Sequence, residues 1–207
     1  MLATSRLKRG LLFFLLLSGG AWAQSVPVIA TDYEWQLTQP GRTLFRDRLP
    51  VGSIELVAGR KEKATGEVLQ VLTDIAFEPG DTVRFFAVNF RLTAGEQGLI
   101  EALADAAELP GLIGAARYAI ETSKNIAGTE RAETLVTYRT RSGFALNLLH
   151  FGTQQQLSVE WPDVQHAGRI ERIINADQLS LFADLLDLTI FELNRQGAGL
   201  KLKTAKP

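Results

Sequence analysis

The chain has 207 residues, with 22 basic and 23 acidic side chains and no cysteine. The absence of cysteine excludes disulfides, thiolate nucleophiles and sulfur-ligated metal sites. The lack of excess positive charge argues against a nucleic-acid partner, because such binding depends on basic side chains that meet phosphates.

Residues 1–23 have the pattern of a cleavable signal peptide. Three basic residues precede the apolar run 11–17, and alanines at positions 21 and 23 fit the cleavage pattern. We expect general secretory export to the periplasm or the medium, with cleavage between Ala23 and Gln24. Seven apolar residues are too few for a membrane anchor, which needs about 20. The segment 1–23 holds three basic and no acidic residues, so cleavage leaves a formal charge of −4.

The segment 24–50 predicts an N-terminal arm. Three prolines interrupt it, and only 26–30 and 35–37 are candidates for short strands. The next residues, from 51 onward, show clearer patterns of strands and helices.

Four strands and a helix are predicted between residues 51 and 125. Apolar alternation and turn residues favour strands over 52–59, 68–77, 83–92 and 99–104. Asp105 and Glu108 then form a capping box, the pattern that begins a helix. The apolar stripe of this helix comprises Leu109, Leu112, Ile113, Ala116 and Ile120.

The same plan returns between residues 130 and 196. Strands are predicted over 133–140, 144–151, 157–161 and 169–174, and Asn175 with Gln178 forms a second capping box. The second stripe comprises Leu179, Phe182, Ala183, Leu186, Ile190 and Leu193. Glycines at 197 and 199 end the helix, and 197–207 is expected to be a flexible basic tail.

The two strand-to-helix junctions align at a constant offset of 70 residues, which includes the caps Asp105 and Asn175. We interpret this as an internal duplication, the alternative being chance similarity between two amphipathic helices. The fold class predicted is α+β: an antiparallel sheet of about eight strands in two similar ββββα halves, with two long helices packed on one face. Each half is expected to cover its strands with its own helix.

Two histidines are the first candidates for chemistry. His150 lies near a strand end and could act as a general base, the alternative being a hydrogen-bonded structural histidine. His166 lies in a loop and could hold a metal with Asp163, although two ligands three residues apart are an unspecific signal. A solvated loop is the favoured interpretation, and we expect no cofactor.

Other candidates are charged or aromatic. Glu101 and Glu171 occupy equivalent positions and could form a catalytic carboxylate pair, although a glutamate on a strand normally faces water. The turn residues Lys61, Lys63, Arg139 and Arg141 could bind an anion, the alternative being solvated hairpin tips. A ligand groove could be lined by aromatic residues that are more often core residues: Trp35, Phe85, Phe86, Phe90 and Trp161.

Two functions remain open on this basis. The first is an exported non-enzymatic module that binds an unknown protein or an apolar ligand, which requires a cavity of roughly 300 Å³ or an apolar patch of several hundred Å². The second is a small exported hydrolase that uses His150 or the Glu101/Glu171 pair, which requires polar groups that converge in one cleft.

Overall fold

The computed structural model describes residues 30–58, 63–94, 98–163 and 168–201. These residues form two similar halves, each with four antiparallel strands followed by a long helix, which confirms the predicted α+β class. The first half contains α1 (Asp32–Leu37), β1 (Phe45–Ala58), β2 (Lys63–Phe77), β3 (Arg84–Ala94), β4 (Gly98–Asp105), a 3-10 turn (Ala106–Glu108) and α2 (Leu109–Ile126). The second half contains β5 (Arg131–Arg139), β6 (Ala145–Gly152), β7 (Gln154–Asp163), β8 (Gly168–Ile174) and α3 (Ala176–Arg195).

The eight strands divide into two sheets, where the sequence predicted one. Sheet A has the order β1-β2-β3-β4, and sheet B has the order β5-β6-β7-β8. Within each sheet, successive strands pair as antiparallel neighbours. The helix α2 separates β4 from β5, so no tight turn can pair these two strands as a hairpin. The chain therefore forms two meanders.

Each long helix packs on the sheet of the other half. The helix α2 contacts β5 and β6, and α3 contacts β1 and β2. Tyr138 of β5 donates a hydrogen bond to Glu108 O at the start of α2 (3.0 Å), and Gln178 of α3 donates one to Glu55 O of β1 (2.7 Å). The expectation that each half covers its own strands is therefore wrong. An apolar stripe shows that a helix buries one face, but it carries no information about which sheet receives that face.

The two halves share one core. The buried cluster combines side chains of both sheets and both helices, including the predicted stripes of α2 and α3. Within it the rings of Phe90 (sheet A) and Phe144, which directly precedes β6 of sheet B, stack with centroids 4.1 Å apart. Trp161 meets Phe144 edge-on and donates its indole N–H to Phe90 O at 2.9 Å. These contacts hold sheets A and B together as one packed unit.

The expected arm is partly helix and partly strand. Residues 35–37, a candidate for a short strand, belong to α1, and β1 already begins at Phe45. The capping box of Thr31 and Glu34 begins α1, and the Asp105 carboxylate accepts the backbone N–H groups of Asp32 (3.0 Å) and Tyr33 (3.1 Å). Local capping thus overrides the weak strand propensity of this segment.

The segment after α3 also differs from the expectation. Gly197 has φ 101° and ends the helix, and Ala198 donates a backbone hydrogen bond to Leu193 O at 3.0 Å. Asn194 then binds both backbone groups of Leu200, and Leu200 packs against the core. The described residues 197–200 are therefore fixed to the domain. Residues 202–207 of the expected tail lie outside the described residues.

Candidate functional site

His150 is held by the backbone and does not face a catalytic partner in the described residues. The ring is fully buried, and Nε2 lies 3.0 Å from Thr129 O and 2.9 Å from Gly152 O. Two carbonyl oxygens near Nε2 favour the form in which this nitrogen carries the proton. These contacts fit the structural interpretation of His150, because the N–H group at Nε2 is directed to two backbone carbonyl oxygens and not to a catalytic side chain.

The two equivalent glutamates lie on different sheets and have different partners. Glu101 accepts hydrogen bonds from Arg48 (3.0 Å) and Arg91 (2.7 Å). Burial opposes its ionisation, but these guanidinium groups hold the pKa of the Glu101 carboxyl below its ordinary value. Glu171 is exposed on β8 and accepts a hydrogen bond from Gln156. No described contact joins the two carboxylates, so they do not form a pair like that of a hydrolase.

The outer face of sheet A carries a buried ion-pair network beneath α1. The Asp74 carboxylate is fully buried and binds Arg46 (2.5 Å) and Arg48 (2.9 Å). The guanidinium of Arg46 also lies over the Tyr33 ring, 5.7 Å from its centroid. Burial, with the nearby Asp74 charge, raises the pKa of the Tyr33 phenol to about 12. This network attaches α1 to the sheet, and each buried charge has an opposite charge beside it.

The two charged turn residues of the second half, Arg139 and Arg141, form ion pairs within the fold. Arg139 binds Glu160 at 2.7 Å, and Arg141 binds Asp32 of α1 at 2.8 Å and Ala30 O at 3.2 Å. Arg141 therefore fixes the N-terminal segment to sheet B. Lys61, the side chain of Lys63 and His166 lie outside the described residues.

The five aromatic residues do not line one groove. Phe90 and Trp161 are core residues, whereas Trp35 is exposed on α1. Phe86 packs against the core of the two sheets, and Phe85 packs under α1 on the opposite face. Helix α1 thus explains why both faces of β3 carry apolar residues at this point.

An open groove of about 310 Å³ lies between β1 and the C-terminal part of α3. Gly52 allows α3 to lie close to β1, because a Cβ at this position would overlap the side chain of Leu185. The register of β1 shifts between Pro50 and Gly52, which changes the course of the strand beside the groove. The groove is lined by Pro50, Val51, Leu188, Phe191, Glu192 and Arg195.

The apolar side chains of this groove belong to a second stripe of α3. Leu181, Leu188 and Phe191 are 54%, 53% and 68% exposed, although the first stripe of the same helix is buried. At the offset of 70 residues, the corresponding positions of α2 are Gly111, Tyr118 and Glu121. Tyr118 is also exposed, at 57%, but Gly111 and Glu121 give α2 no apolar side chain at the positions of Leu181 and Phe191. Since α2 covers its sheet without apolar side chains at these two positions, the fold does not require them in α3. Exposed apolar side chains that the fold does not require are typical of a binding surface.

The charge of α3 also differs from that of α2. Helix α3 carries four carboxylates and one guanidinium, whereas α2 carries one carboxylate and two basic residues. Arg117 of α2 binds Asp187, and Arg195 binds Glu192 at 2.7 Å. The two charges that line the groove cancel each other, and the net negative charge that these pairs leave on α3 comes from Asp177 and Asp184, which lie outside the lining.

Comparisons with protein-family models, curated proteins and solved structures found no match to this chain. Within the described ranges, no cluster of three or more histidine and carboxylate side chains is arranged to hold a metal ion. In the same ranges, none of the helices combines the length and the apolar character that crossing a membrane requires. The candidate site therefore rests on the geometry of the groove alone.

The sequence contained the signal for this groove, but the predicted candidates did not include it. Leu181, Leu188 and Phe191 lie outside the stripe that the helical period assigns to the core. A comparison of the two helices at the offset of 70 residues identifies Leu181 and Phe191 as additional apolar positions, whereas Leu188 corresponds to Tyr118, which is also exposed. The approach of β1 through Gly52 depends on tertiary packing, which a single sequence does not reveal.

Proposed function

We propose that this chain is exported and acts outside the cytoplasm as a non-enzymatic binding module or envelope accessory protein. Its ligand is an apolar segment of a partner, which binds in the groove between β1 and α3. The observation that carries this proposal is the second apolar stripe of α3, with Phe191 68% exposed beside a groove of about 310 Å³. The volume meets the lower limit expected for a ligand site.

The hydrolase alternative has less support. Backbone carbonyls surround Nε2 of His150, and guanidinium groups neutralise Glu101. A general base needs a proton donor of the substrate within hydrogen-bond reach, and these groups use their contacts for the fold. We therefore place the function at the groove.

A binding assay with an uncharged fluorescent probe tests the groove. We expect N-phenyl-1-naphthylamine to bind saturably, with an increase in fluorescence, to the chain that begins at residue 24. Replacing two exposed groove residues, Leu188→Ser with Phe191→Ser, removes apolar area and is expected to weaken probe binding about tenfold or more. The control is Leu135→Ser, because Leu135 is equally exposed but lies on sheet B. Unchanged binding in the double variant would refute the groove as the site.

Export needs a separate test. We expect the full chain, expressed in a bacterial host, to appear in the periplasm or the medium with Gln24 as its first residue. Intact-mass spectrometry of the fractionated protein measures this directly. A chain that retains residues 1–23 in the cytoplasm contradicts the proposed export.

A further inference from the structure

The second stripe of α3 contains one charged residue between its apolar members. Leu181, Asp184, Leu188 and Phe191 follow one another at steps of three, four and three residues, which places them on one line of the helix. From Leu181 to Phe191 this line extends about 15 Å, at 1.5 Å per residue. A partner that covers the stripe must therefore also cover the Asp184 carboxylate.

Asp184 has no opposite charge beside it in the described part of the chain. Of the other acidic residues of α3, Asp187 binds Arg117 and Glu192 binds Arg195, whereas Asp177, two turns before Asp184, is exposed and has no ion pair among the described residues. A carboxylate that loses its water is strongly destabilised unless a cation replaces that water. The partner must therefore bring a positive charge to the centre of the apolar stripe.

The geometry of β1 disfavours an added strand as the occupant. Pro50 has no N–H group to offer to a neighbouring strand, and the register shift between Pro50 and Gly52 breaks the regular edge. A helix satisfies its own backbone groups and can lay an apolar face into the groove without an edge. Helical side chains also repeat with the spacing of the α3 stripe.

We propose that the groove binds an amphipathic helix of a partner protein, whose apolar face carries a lysine or arginine that meets Asp184. This inference rests on the proposed function, because it names the partner class of the same groove. The apolar residues of the helix contact Leu181, Leu188 and Phe191, and its basic residue replaces the water on Asp184. Net negative charge on α3 disfavours acidic helices in the same groove.

Two synthetic peptides test the charge requirement. Both are labelled 18-residue helices with the same polar positions and a leucine face, and one residue at the centre of that face is lysine in one peptide and glutamate in the other. Fluorescence anisotropy with the chain that begins at residue 24, at low salt, measures the two affinities. We expect the lysine peptide to bind about tenfold more tightly, and the preference to shrink at high salt because screening weakens surface charges.

Variants of Asp184 separate a specific contact from general attraction. Asp184→Asn is expected to weaken binding of the lysine peptide about two- to fivefold, the range of a surface ion pair. Asp184→Lys is expected to reverse the preference, so that the glutamate peptide binds more tightly than the lysine peptide. The control is Glu121→Gln, an exposed acid at the position of α2 that corresponds to Phe191, which is expected to leave both affinities unchanged.

The outcomes distinguish this inference from the proposed function. If Phe191→Ser leaves both peptides and the naphthylamine probe bound as before, the groove itself is not a binding site. If Phe191→Ser abolishes binding but both peptides bind equally and Asp184→Lys has no effect, the groove stands and the basic helix is refuted. If analytical ultracentrifugation shows a dimer that Phe191→Ser dissociates, the occupant is a second copy, and this inference is overturned.

Discussion

Arg117 and Asp187 occupy equivalent positions of the two long helices, and their side chains form an ion pair across the helix interface. The two residues are 70 apart in the chain, the offset that relates the two halves. In a structure with two similar halves, a residue meets its own counterpart only where the halves are related across a local twofold axis. This contact therefore places the approximate symmetry axis of the molecule between α2 and α3.

The first prediction concerns this ion pair. Asp187→Arg places two guanidinium groups together and is expected to lower the free energy of unfolding by less than about 1 kcal/mol, because the pair is partly exposed. The double variant Arg117→Asp with Asp187→Arg restores an opposite-charge pair, so we expect it to recover most of the loss. Urea unfolding of the four proteins in the cycle measures both effects. A double variant no more stable than Asp187→Arg would contradict a direct contact.

The second prediction tests the packing of α2 on sheet B. A Cβ at Gly111 would lie 2.5 Å from Tyr138 Oη and 3.0 Å from Cε2 of the same ring. Gly111→Ala is therefore expected to destabilise the chain by about 1 to 3 kcal/mol, the usual cost of overpacking, although alanine favours helices. Thermal or urea unfolding gives the magnitude. Adding Tyr138→Phe removes the closest atom and is expected to recover part of the loss.

Gly114 provides a matched control on the same helix. A Cβ at Gly114 has open space around it, so Gly114→Ala is expected to stabilise the chain by up to about 1 kcal/mol through helix propensity alone. If the two alanine variants behave alike, α2 does not pack on β5 as described.

The third prediction concerns the phenol of Tyr33. Its pKa is raised to about 12 by burial and by the Asp74 charge, so the folded chain holds this proton more tightly than the unfolded chain does. The resulting stability is complete below about pH 10, the ordinary pKa of tyrosine, and it is lost as the pH rises toward 12. We expect the stability of the unmodified chain, relative to that of Tyr33→Phe, to fall by roughly 1 to 2.5 kcal/mol over this range.

At pH 7 the same variant reports on hydrogen bonding. The buried Tyr33 hydroxyl makes no hydrogen bond of ordinary geometry among the described residues, and the Arg46 guanidinium beside it gives a weak interaction at most, so Tyr33→Phe is expected to change the stability by less than about 1 kcal/mol. Tyr138→Phe is the control, because it removes a hydrogen bond to Glu108 O and is expected to cost about 1 kcal/mol. Equal losses in both variants would show that the Tyr33 hydroxyl has a partner in solution.

The local elements could be predicted because their signals are local. The capping box of Asn175 and Gln178 begins α3 as expected, and the six predicted core residues of that helix are all buried. Helix α1 had a signal of the same kind, since Thr31 and Glu34 have the spacing of a capping box. Its six residues are too few to show a helical period, so the sequence predicts an arm here, with 35–37 as a candidate strand.

The arrangement of the elements could not be predicted from these patterns. Gly52 shows why, because its role depends on Leu185, which is far away in the sequence. The same limit applies to the groove, where Pro50 and Phe191 meet only after α3 has crossed to the other half. The spacing of apolar residues identifies which face of each helix or strand is buried. Which element packs against that face depends on loop lengths and tertiary packing, which the spacing does not contain.

The last prediction follows from the exchange of helices between the halves. A fragment 30–128 contains sheet A but lacks α3, the helix that covers β1 and β2. Its core face would expose apolar side chains such as Leu69, Val71 and Phe90, which are almost fully buried in the complete chain. We therefore expect this fragment to be unfolded or self-associated, because no helix of its own lies over that face.

Mixing the fragment with residues 129–201 restores both missing contacts. Sheet A then receives α3, and sheet B receives α2, so we expect a folded one-to-one complex. Circular dichroism and size-exclusion chromatography of the separate and mixed fragments measure this. A monomeric, cooperatively unfolding fragment 30–128 would mean that α2 can cover its own sheet. The exchange of helices would then be unnecessary for the stability of either half.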